Sequence, residues 1–337
     1  MEAFAAAGGY EPRLRFAFRA IREGWRCGAA RLQVGMLLPD GTGPYPVVVY
    51  LPGLGEGVDA APLWQEAWAR AGYAVVALQP EAAAQALRGL GRGGRRDLAG
   101  IGRSQFSRKA LERRLDQLSW CLAELLERVR RRQPPFAALD LTKVAVAGFD
   151  LGAQATAALA GEVALARPSD WNGIRLRSAI VLSPLVDLAL GKLNSRFKSI
   201  RLPLLAVTGE EDRDPWGISS PSLRPAIWQQ GPPGDQYLLL LPAASHRDLG
   251  GALAVEEPAE GDGADWLPQG PEGGRRRSAP LEWEARPRPA DGREQAAIRS
   301  VTTAFLDATV KGDAHARRWL QQAAPGWLGP VGVLKVR

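Results

Sequence analysis

The sequence of 337 residues has little histidine, little cysteine and no long hydrophobic run. Only two histidines are present, His246 and His315, which excludes a metal site built mainly from histidines and leaves two candidates for a histidine base. The two cysteines, Cys27 and Cys121, lie far apart and do not have the spacing of a metal or redox motif. No stretch of about eighteen apolar residues is available to span a membrane.

No secretion signal is expected, because Met1 to Tyr10 lack a basic segment followed by an apolar stretch and a cleavage site. These absences predict a cytoplasmic protein that has no membrane partner and no histidine-based metal site. The composition, with 46% hydrophobic and 23% charged residues, is that of a globular protein. It excludes a wholly disordered, collagen-like or coiled-coil chain. The oligomeric state stays open.

The formal charge of +7, from 43 basic and 36 acidic residues, does not by itself indicate a nucleic-acid partner. The arginines are interspersed with acidic residues in stretches such as 109–127, which is typical of solvated helix faces. The run Arg275 to Arg277 could contact a polyanion, but no recognition motif accompanies it. We therefore expect no nucleic-acid partner, with polyanion binding as the remaining alternative.

Short apolar runs alternate with longer helical patterns from residue 46 to residue 241, which predicts an α/β fold with a doubly wound, mostly parallel sheet. The strands expected in this sheet are Pro46–Leu51, Tyr73–Leu78, Lys143–Ala147, Ala179–Ser183, Leu204–Thr208 and Tyr237–Leu241. The helices expected between them are Leu63–Ala71, Ser104–Arg132 and Leu151–Ala166. Alternating patterns at Leu14–Phe18 and Arg31–Leu38 predict antiparallel edge strands ahead of the core.

The composition changes after the last of these strands and suggests a division into three parts. Residues 1–255 form the expected core, and residues 256–293 form a Pro/Gly-rich irregular excursion, in which about a third of the residues are glycine or proline. Residues 294–337 are expected to return to the core as two closing helices, Glu294–Val310 and a shorter one near Ala314–Gln321.

A candidate nucleophile elbow follows the strand Lys143–Ala147. The segment Gly148-Phe149-Asp150-Leu151-Gly152 places small residues two positions on either side of Asp150 and leads into an alanine-rich helix. Such spacing allows a sharp strand-to-helix turn that exposes the central side chain, and serine is usual at that position. The sequence therefore predicts an elbow that carries an aspartate.

Three further segments lie where an elbow hypothesis requires them. Leu51 to Gly55 follows the first core strand, where a backbone N–H of an oxyanion hole should lie, and Ser245-His246 follows the last strand and offers the base. Asp212 follows a later strand and offers the acid. Asp214 and Asp187 compete for that role, and Asp212 is favoured because it completes a Gly-x-x-Asp spacing after the strand.

With these residues in view, the chain resembles the α/β-hydrolase superfamily over about residues 30 to 250. It looks most like bacterial serine hydrolases related to dienelactone hydrolase, platelet-activating-factor acetylhydrolase and polyester hydrolases, and the segment 305–320 also looks like their terminal helices. The resemblance implies a nucleophile's place at Asp150, an acid at Asp212, a base at His246 and oxyanion-hole N–H groups from Leu54 and Leu151. Trp216, beyond the acid loop, is a candidate to line the substrate cleft, whereas His315 is expected to be structural or exposed.

An aspartate at the elbow also resembles haloalkane dehalogenases and epoxide hydrolases, in which the carboxylate attacks an alkyl carbon and histidine activates water to hydrolyse the resulting ester. Those enzymes carry a helical cap after the sixth strand, but Pro184 to Pro203 leaves room for only about twenty residues, so no cap is expected. The hypothesis is a hydrolase that cleaves ester-like or alkyl-electrophile bonds of a small-molecule or extended substrate. It uses Asp150, Asp212 and His246, and it is expected to need neither metal nor cofactor. The alternative is an inactive homologue that serves as a binding module, with Asp150 and His246 as an inert ion pair.

Overall fold

A largely parallel sheet forms where the sequence alternates short apolar runs with helices. In this computed structural model the described residues are 2–87, 95–162, 170–171, 174–251 and 292–337. Within them the strands are β1 (Phe18–Cys27), β2 (Ala30–Pro39), β3 (Tyr45–Leu51), β4 (Ala74–Pro80), β5 (Leu139–Phe149), β6 (Asp170–Trp171), β7 (Ile174–Leu182), β8 (Leu204–Thr208), β9 (Gln236–Leu240) and β10 (Val333–Val336).

The strand order in the described part of the chain is β1-β2-β4-β3-β5-β7-β8-β9-β10, and the short β6 pairs with the start of β7. Strands β4, β3, β5, β7, β8 and β9 are parallel neighbours. Strands β1, β2 and β10 are antiparallel and lie toward the two edges. The predicted α/β class and the six predicted core strands are confirmed.

Two edge strands differ from the expectation. The strand expected at Leu14–Phe18 was wrong, because β1 begins only at Phe18 and the backbone N–H of Phe16 donates to the carbonyl of Arg70 instead of to a strand. The second expected edge strand is confirmed as β2. Strand β10 was not predicted, and it pairs with β9 from Val333 to Val336.

The helices on the two faces follow the predicted periodicity in part. They are α1 (Glu2–Ala6), α2 (Pro62–Arg70), α3 (Glu81–Ala84), α4 (Arg95–Gln105), α5 (Arg108–Arg130), α6 (Leu151–Ala160), α7 (Leu193–Arg196), α8 (Ala226–Gln229), α9 (His246–Leu249), α10 (Arg293–Thr309), α11 (Ala314–Arg318) and α12 (Ala324–Leu328). A π-helical turn, Trp319–Ala323, joins α11 to α12. The second closing helix is thus longer than expected, and α10 matches the first.

Local backbone signals explain two other differences. The single helix expected at 104–132 is divided, because the Ser107 side chain accepts the N–H of Ala110 and so begins α5. The helix expected to reach Ala166 ends at Ala160, because Gly161 adopts a left-handed conformation with φ 114°. Most of the expected excursion, residues 256–291, lies outside the described residues, and the three-part division stays a prediction.

The sheet is covered on both faces, because successive side chains of a strand point to opposite faces and both sets are apolar here. Val47 and Val49 of β3 pack with α5 and α6 on one face. Val48 and Tyr50 pack with α2, α10 and the helices after it on the other face. A third apolar group, which we call the apical cluster, lies beyond the carboxyl ends of the strands and consists of Leu54, Ala83, Leu98, Phe106, Leu151, Leu185 and Trp216.

The chain reverses direction across the sheet at β3, which has β4 on one side and β5 on the other. In open α/β sheets ligands bind outside the carboxyl ends of the strands at such a reversal. The loop after β3 and the turn after β5 meet at this point, and they carry Leu54 and Asp150. Among the described residues, no helix has both the length and the apolar character needed to cross a membrane.

Candidate functional site

The turn between β5 and α6 has the backbone geometry of a strained elbow. Asp150 has φ 50° and ψ −108°, and such a positive φ is uncommon for a residue with a side chain. A Cβ atom at Gly148 would lie 2.4 Å from the backbone of Gly152, and one at Gly152 would lie 1.8 Å from the carbonyl oxygen of Leu51. Glycine is therefore required on both sides of Asp150, as the spacing of the motif predicted.

The Asp150 carboxylate points toward the loop after β3. Its Oδ2 accepts the backbone N–H of Leu54 at 3.2 Å, and the indole N–H of Trp216 lies 3.1 Å from Oδ1 and 3.3 Å from Oδ2. The residue is only 2% exposed. Burial raises the pKa of Asp150, and the charge of His246, together with the Leu54 and Trp216 donors, opposes this rise without cancelling it.

His246 lies between two carboxylates. Its Nε2 is 3.7 Å from Asp150 Oδ1, and its Nδ1 is 2.8 Å from Asp212 Oδ1. The imidazole packs on the Phe149 ring, with the ring centroids 4.8 Å apart. Burial alone lowers the pKa of His246, but the hydrogen bond to Asp212 and the charges of Asp150 and Asp212 outweigh it, so this pKa is raised.

The histidine is positioned from its own backbone as well. Ser245 is the N-cap of α9 and accepts the N–H of Asp248, whose side chain accepts the backbone N–H of Ser245 in return. His246 is the first residue of this short helix, so the reciprocal cap fixes the position of the backbone that carries the imidazole. A serine before the histidine and an aspartate two residues after it are the local sequence signal for this arrangement.

Asp212 is fully buried and accepts several hydrogen bonds. Thr208 Oγ1 donates to Oδ2 at 2.8 Å, and Ser183 Oγ donates to Oδ1 at 2.8 Å and lies 2.9 Å from His246 Nδ1. Burial alone raises the pKa of Asp212, but the hydrogen bond to His246 and the charge of Arg224 outweigh it and lower this pKa. Asp212 is therefore an ionised acceptor that orients the imidazole.

Asp214 and Asp187, the other two candidates for the acid, accept hydrogen bonds from backbone N–H groups of their own loops. Asp214 accepts the backbone N–H groups of Ile218 and Ser219, at 3.1 and 2.8 Å. Asp187 accepts the N–H of Ala189 and caps a short 3-10 helix, Leu188–Leu190. Of the three aspartates considered for the acid role, the geometry brings Asp212 to His246.

The remaining predicted residues occupy different places. Leu151 is the first residue of α6, so its N–H belongs to the helix turn whose donors have no partner within the helix. Trp216 is 4% exposed and contacts Asp150 directly, which the sequence did not indicate. His315 is exposed on α11, where its ring centroid lies 6.1 Å from that of Tyr10, and its backbone N–H donates to Asp313.

Sequence reasoning missed a second carboxyl group close to the elbow. Glu56 lies in the loop after β3, and its Oε2 accepts the backbone N–H of Gly53 at 2.7 Å. Burial raises the pKa of Glu56 to about 7, and the charge of Asp150 acts in the same direction. Its position two residues after Leu54 is a signal that could have been used.

The site is covered by the apical cluster. Helix α4 approaches it at Gly102, where a Cβ atom would lie 2.6 Å from Trp216 Cβ. The corner between α4 and α5 is fastened to the elbow helix, because Gln154 donates to the carbonyl of Phe106 at 2.8 Å and accepts from the buried Arg114 at 2.6 Å. Asp150 is therefore surrounded by apolar side chains on the side away from the sheet.

The described residues include no group of three or more histidine, cysteine, aspartate or glutamate side chains that could hold a metal ion. The expectation of a metal-free and cofactor-free site stays a prediction. Comparison of the chain with protein-family models and with curated proteins finds no match.

Proposed function

We propose that the protein is an α/β-hydrolase-type enzyme that hydrolyses alkyl-electrophile bonds through Asp150, Asp212 and His246. One observation carries the proposal: an aspartate occupies the strained turn after β5, with His246 Nε2 3.7 Å from its carboxylate and Asp212 behind the imidazole at 2.8 Å. The largely parallel sheet and the position of this turn at the strand reversal support the same fold family.

In the first step, Asp150 Oδ1 attacks a saturated carbon of the substrate. A C–O bond forms, the bond from carbon to the leaving group breaks, and the leaving group departs with the electron pair. The carboxylate becomes an alkyl ester and loses its charge. Oδ2, which accepts the Leu54 N–H at 3.2 Å, becomes the carbonyl oxygen of that ester.

The second step uses the histidine as a base, and the first step prepares it. The charge of Asp150 is one of the causes that raise the pKa of His246, so ester formation lowers this pKa and favours the neutral imidazole. Water then adds to the ester carbonyl and gives its proton to Nε2, while the Leu54 N–H stabilises the oxyanion on Oδ2. Collapse of the intermediate returns the proton to the leaving alkoxide and releases the alcohol. The Asp150 carboxylic acid then loses the second proton of the water to the solvent, which restores the carboxylate.

The alternative of direct ester hydrolysis is less favourable. Attack of the Asp150 carboxylate on an ester carbonyl would produce a mixed anhydride, and the tetrahedral intermediate would expel the better carboxylate leaving group and revert. The Leu54 donor is also bonded to Asp150 itself in this structure. Both points support attack at an alkyl carbon.

The substrate expected from these surroundings is small and apolar. The connection between β7 and β8 contains a 3-10 helix, Leu188–Leu190, and the four-residue helix α7, which supports a site without a large inserted cap. The apical cluster supplies the apolar walls. A neutral alkyl halide or epoxide suits such walls better than a charged substrate.

A second function, binding without catalysis, is favoured by the closure of the site. Asp150 is 2% exposed, both of its oxygens have hydrogen-bond donors, and its ion pair with His246 lies beneath the apical cluster. A protein that kept this arrangement permanently would retain the fold as a binding module. Turnover distinguishes the two functions.

The experiment is a substrate panel of haloalkanes, epoxides and p-nitrophenyl esters, with mass spectrometry of the Asp150 peptide. His246→Ala should accumulate an alkyl ester on Asp150, whereas His315→Ala, as the matched control, should turn over like the native protein. A single turnover in oxygen-18 water should leave the label in the Asp150 carboxylate. Absence of turnover and of adduct, combined with ester hydrolysis by Asp150→Ser, would reject the carboxylate nucleophile and support an inactivated site.

A further inference from the structure

Arg224 is a completely buried cation at the edge of the site, and the mechanism above assigns it no step. It follows a short 3-10 helix, Pro221–Leu223, and its side chain is 0% exposed. A guanidinium without contact to water is costly unless its donors are bonded. The partners of this side chain therefore show what it holds in place.

The first group of contacts holds the acid. Arg224 Nε donates to the backbone carbonyl of Asp212 at 2.8 Å and lies 3.3 Å from the Oδ2 of the same residue. Its Nη1 donates at 3.1 Å to the carbonyls of Ser183 and Pro184. The guanidinium thus joins the turn after β7 to the loop after β8, and Ser183 is itself a donor to the Asp212 carboxylate.

The second contact reaches the loop that carries Trp216. Arg224 Nη2 lies 3.3 Å from Asp214 Oδ2, and the Asp214 carboxylate accepts the N–H groups of Ile218 and Ser219 on the far side of that loop. The indole of Trp216 in turn donates to Asp150. The Arg224 side chain therefore contacts Asp212, the candidate acid. Through Asp214 it is also connected to the loop of Trp216, which donates to Asp150.

We propose that Arg224 is a positioning residue that holds Asp212 against His246 and, through Asp214, holds the Trp216 loop against Asp150. The planar fork matters as much as the charge, because its donors reach three backbone carbonyls and two carboxylates in fixed directions. The roles given to Asp212 and Asp150 rest on the proposed function, but the positioning itself is a property of the resting protein.

The test is proton NMR of protein labelled with nitrogen-15 at histidine, observing the Nδ1–H of His246 in its hydrogen bond to Asp212. With two histidines in the chain, His246→Ala identifies the signal and His315 serves as an internal reference. The charged groups near the ring that also affect it are Asp150, Asp212, Arg224 and Glu56. All are present in every variant compared, apart from Arg224 itself.

Both Arg224→Lys and Arg224→Gln are expected to lose this downfield signal, because neither side chain reproduces the fork. Arg224→Lys keeps the buried positive charge and therefore carries the test if Arg224→Gln does not fold. Arg196→Lys is the matched control: Arg196 is also a buried arginine, paired with Glu162, and its replacement should lower thermal stability but leave the signal unchanged.

A folded Arg224→Lys protein that retained the native Nδ1–H signal would overturn the proposal and leave Arg224 a purely stabilising residue. The measurement needs no turnover, so it separates the two ideas. If Arg224→Lys loses the signal and the native protein shows no turnover, the proposed function alone is rejected. If Arg224→Lys keeps the signal and the native protein turns over substrate, the positioning role alone is rejected.

Discussion

Replacing Gly152 by alanine should destabilise the protein strongly, because the elbow leaves no room for a methyl group. The Cβ atom would lie 1.8 Å from the Leu51 carbonyl oxygen and 2.5 Å from its carbonyl carbon, whereas ordinary contact begins at 3.4 Å. The β3 strand and the α6 helix would have to separate by about 1.6 Å at this point.

The expected cost is at the upper end of overpacking effects. Adding a methyl group to a well-packed core costs roughly 1–3 kcal/mol when side chains can adjust. Here both obstructing atoms belong to the backbone of the central strand β3, so we expect a loss of about 3–5 kcal/mol. That is a large part of the roughly 5–15 kcal/mol by which a folded protein is stable.

The assay is urea unfolding followed by circular dichroism, with Gly100→Ala as the matched control. Gly100 lies inside α4, and a Cβ atom there would meet no atom within 4 Å. Alanine should stabilise that helix by up to about 1 kcal/mol. If Gly152→Ala unfolded within about 0.5 kcal/mol of the native protein, the close approach of the elbow to β3 would be refuted.

Two further predictions concern charge. Asp150→Asn removes a negative charge that raises the pKa of His246, so NMR titration should show a lower pKa for His246 than in the native protein. An unchanged pKa of His246 would contradict the ion pair. Glu56 has its pKa raised to about 7 in the folded state, so the stability it contributes is complete below its ordinary pKa of 4.5 and is lost as the pH rises through 7. The free energy of unfolding of Glu56→Gln, measured relative to that of the native protein, should therefore increase between about pH 5 and pH 8. If urea unfolding gave the two proteins the same pH dependence, the raised pKa of Glu56 would be refuted.

Much of the core could be predicted because its strands are apolar on both faces. Runs such as Pro46–Leu51 have no polar alternation, which is the signature of a strand covered on two sides. The elbow could also be predicted. The turn has no room for a Cβ atom at Gly148 or Gly152, so the sequence must have glycine two positions before and two positions after Asp150. The scarcity of histidine made His246 the natural candidate for the base.

The missed features depend on contacts between distant segments. Arg224 is one of 37 arginines, and nothing near it in the sequence shows that its side chain is buried against two loops. Strand β10 is a four-residue edge strand in which only Leu334 is buried, and its partner β9 ends almost a hundred residues earlier in the chain. The sequence did not predict the division of the helix 104–132 at Ser107, because the apolar periodicity continues through this N-cap residue.

The distribution of the site over several strand ends has a consequence for folding. The Leu54 donor is 96 residues away from Asp150 along the chain, and Asp212 is 34 residues away from His246. Contacts this distant form slowly, since long loops must close before the contacts stabilise the chain. No collapsed intermediate with only local helices would contain the site, so the His246 to Asp212 hydrogen bond should appear in refolding only when the central strands have assembled.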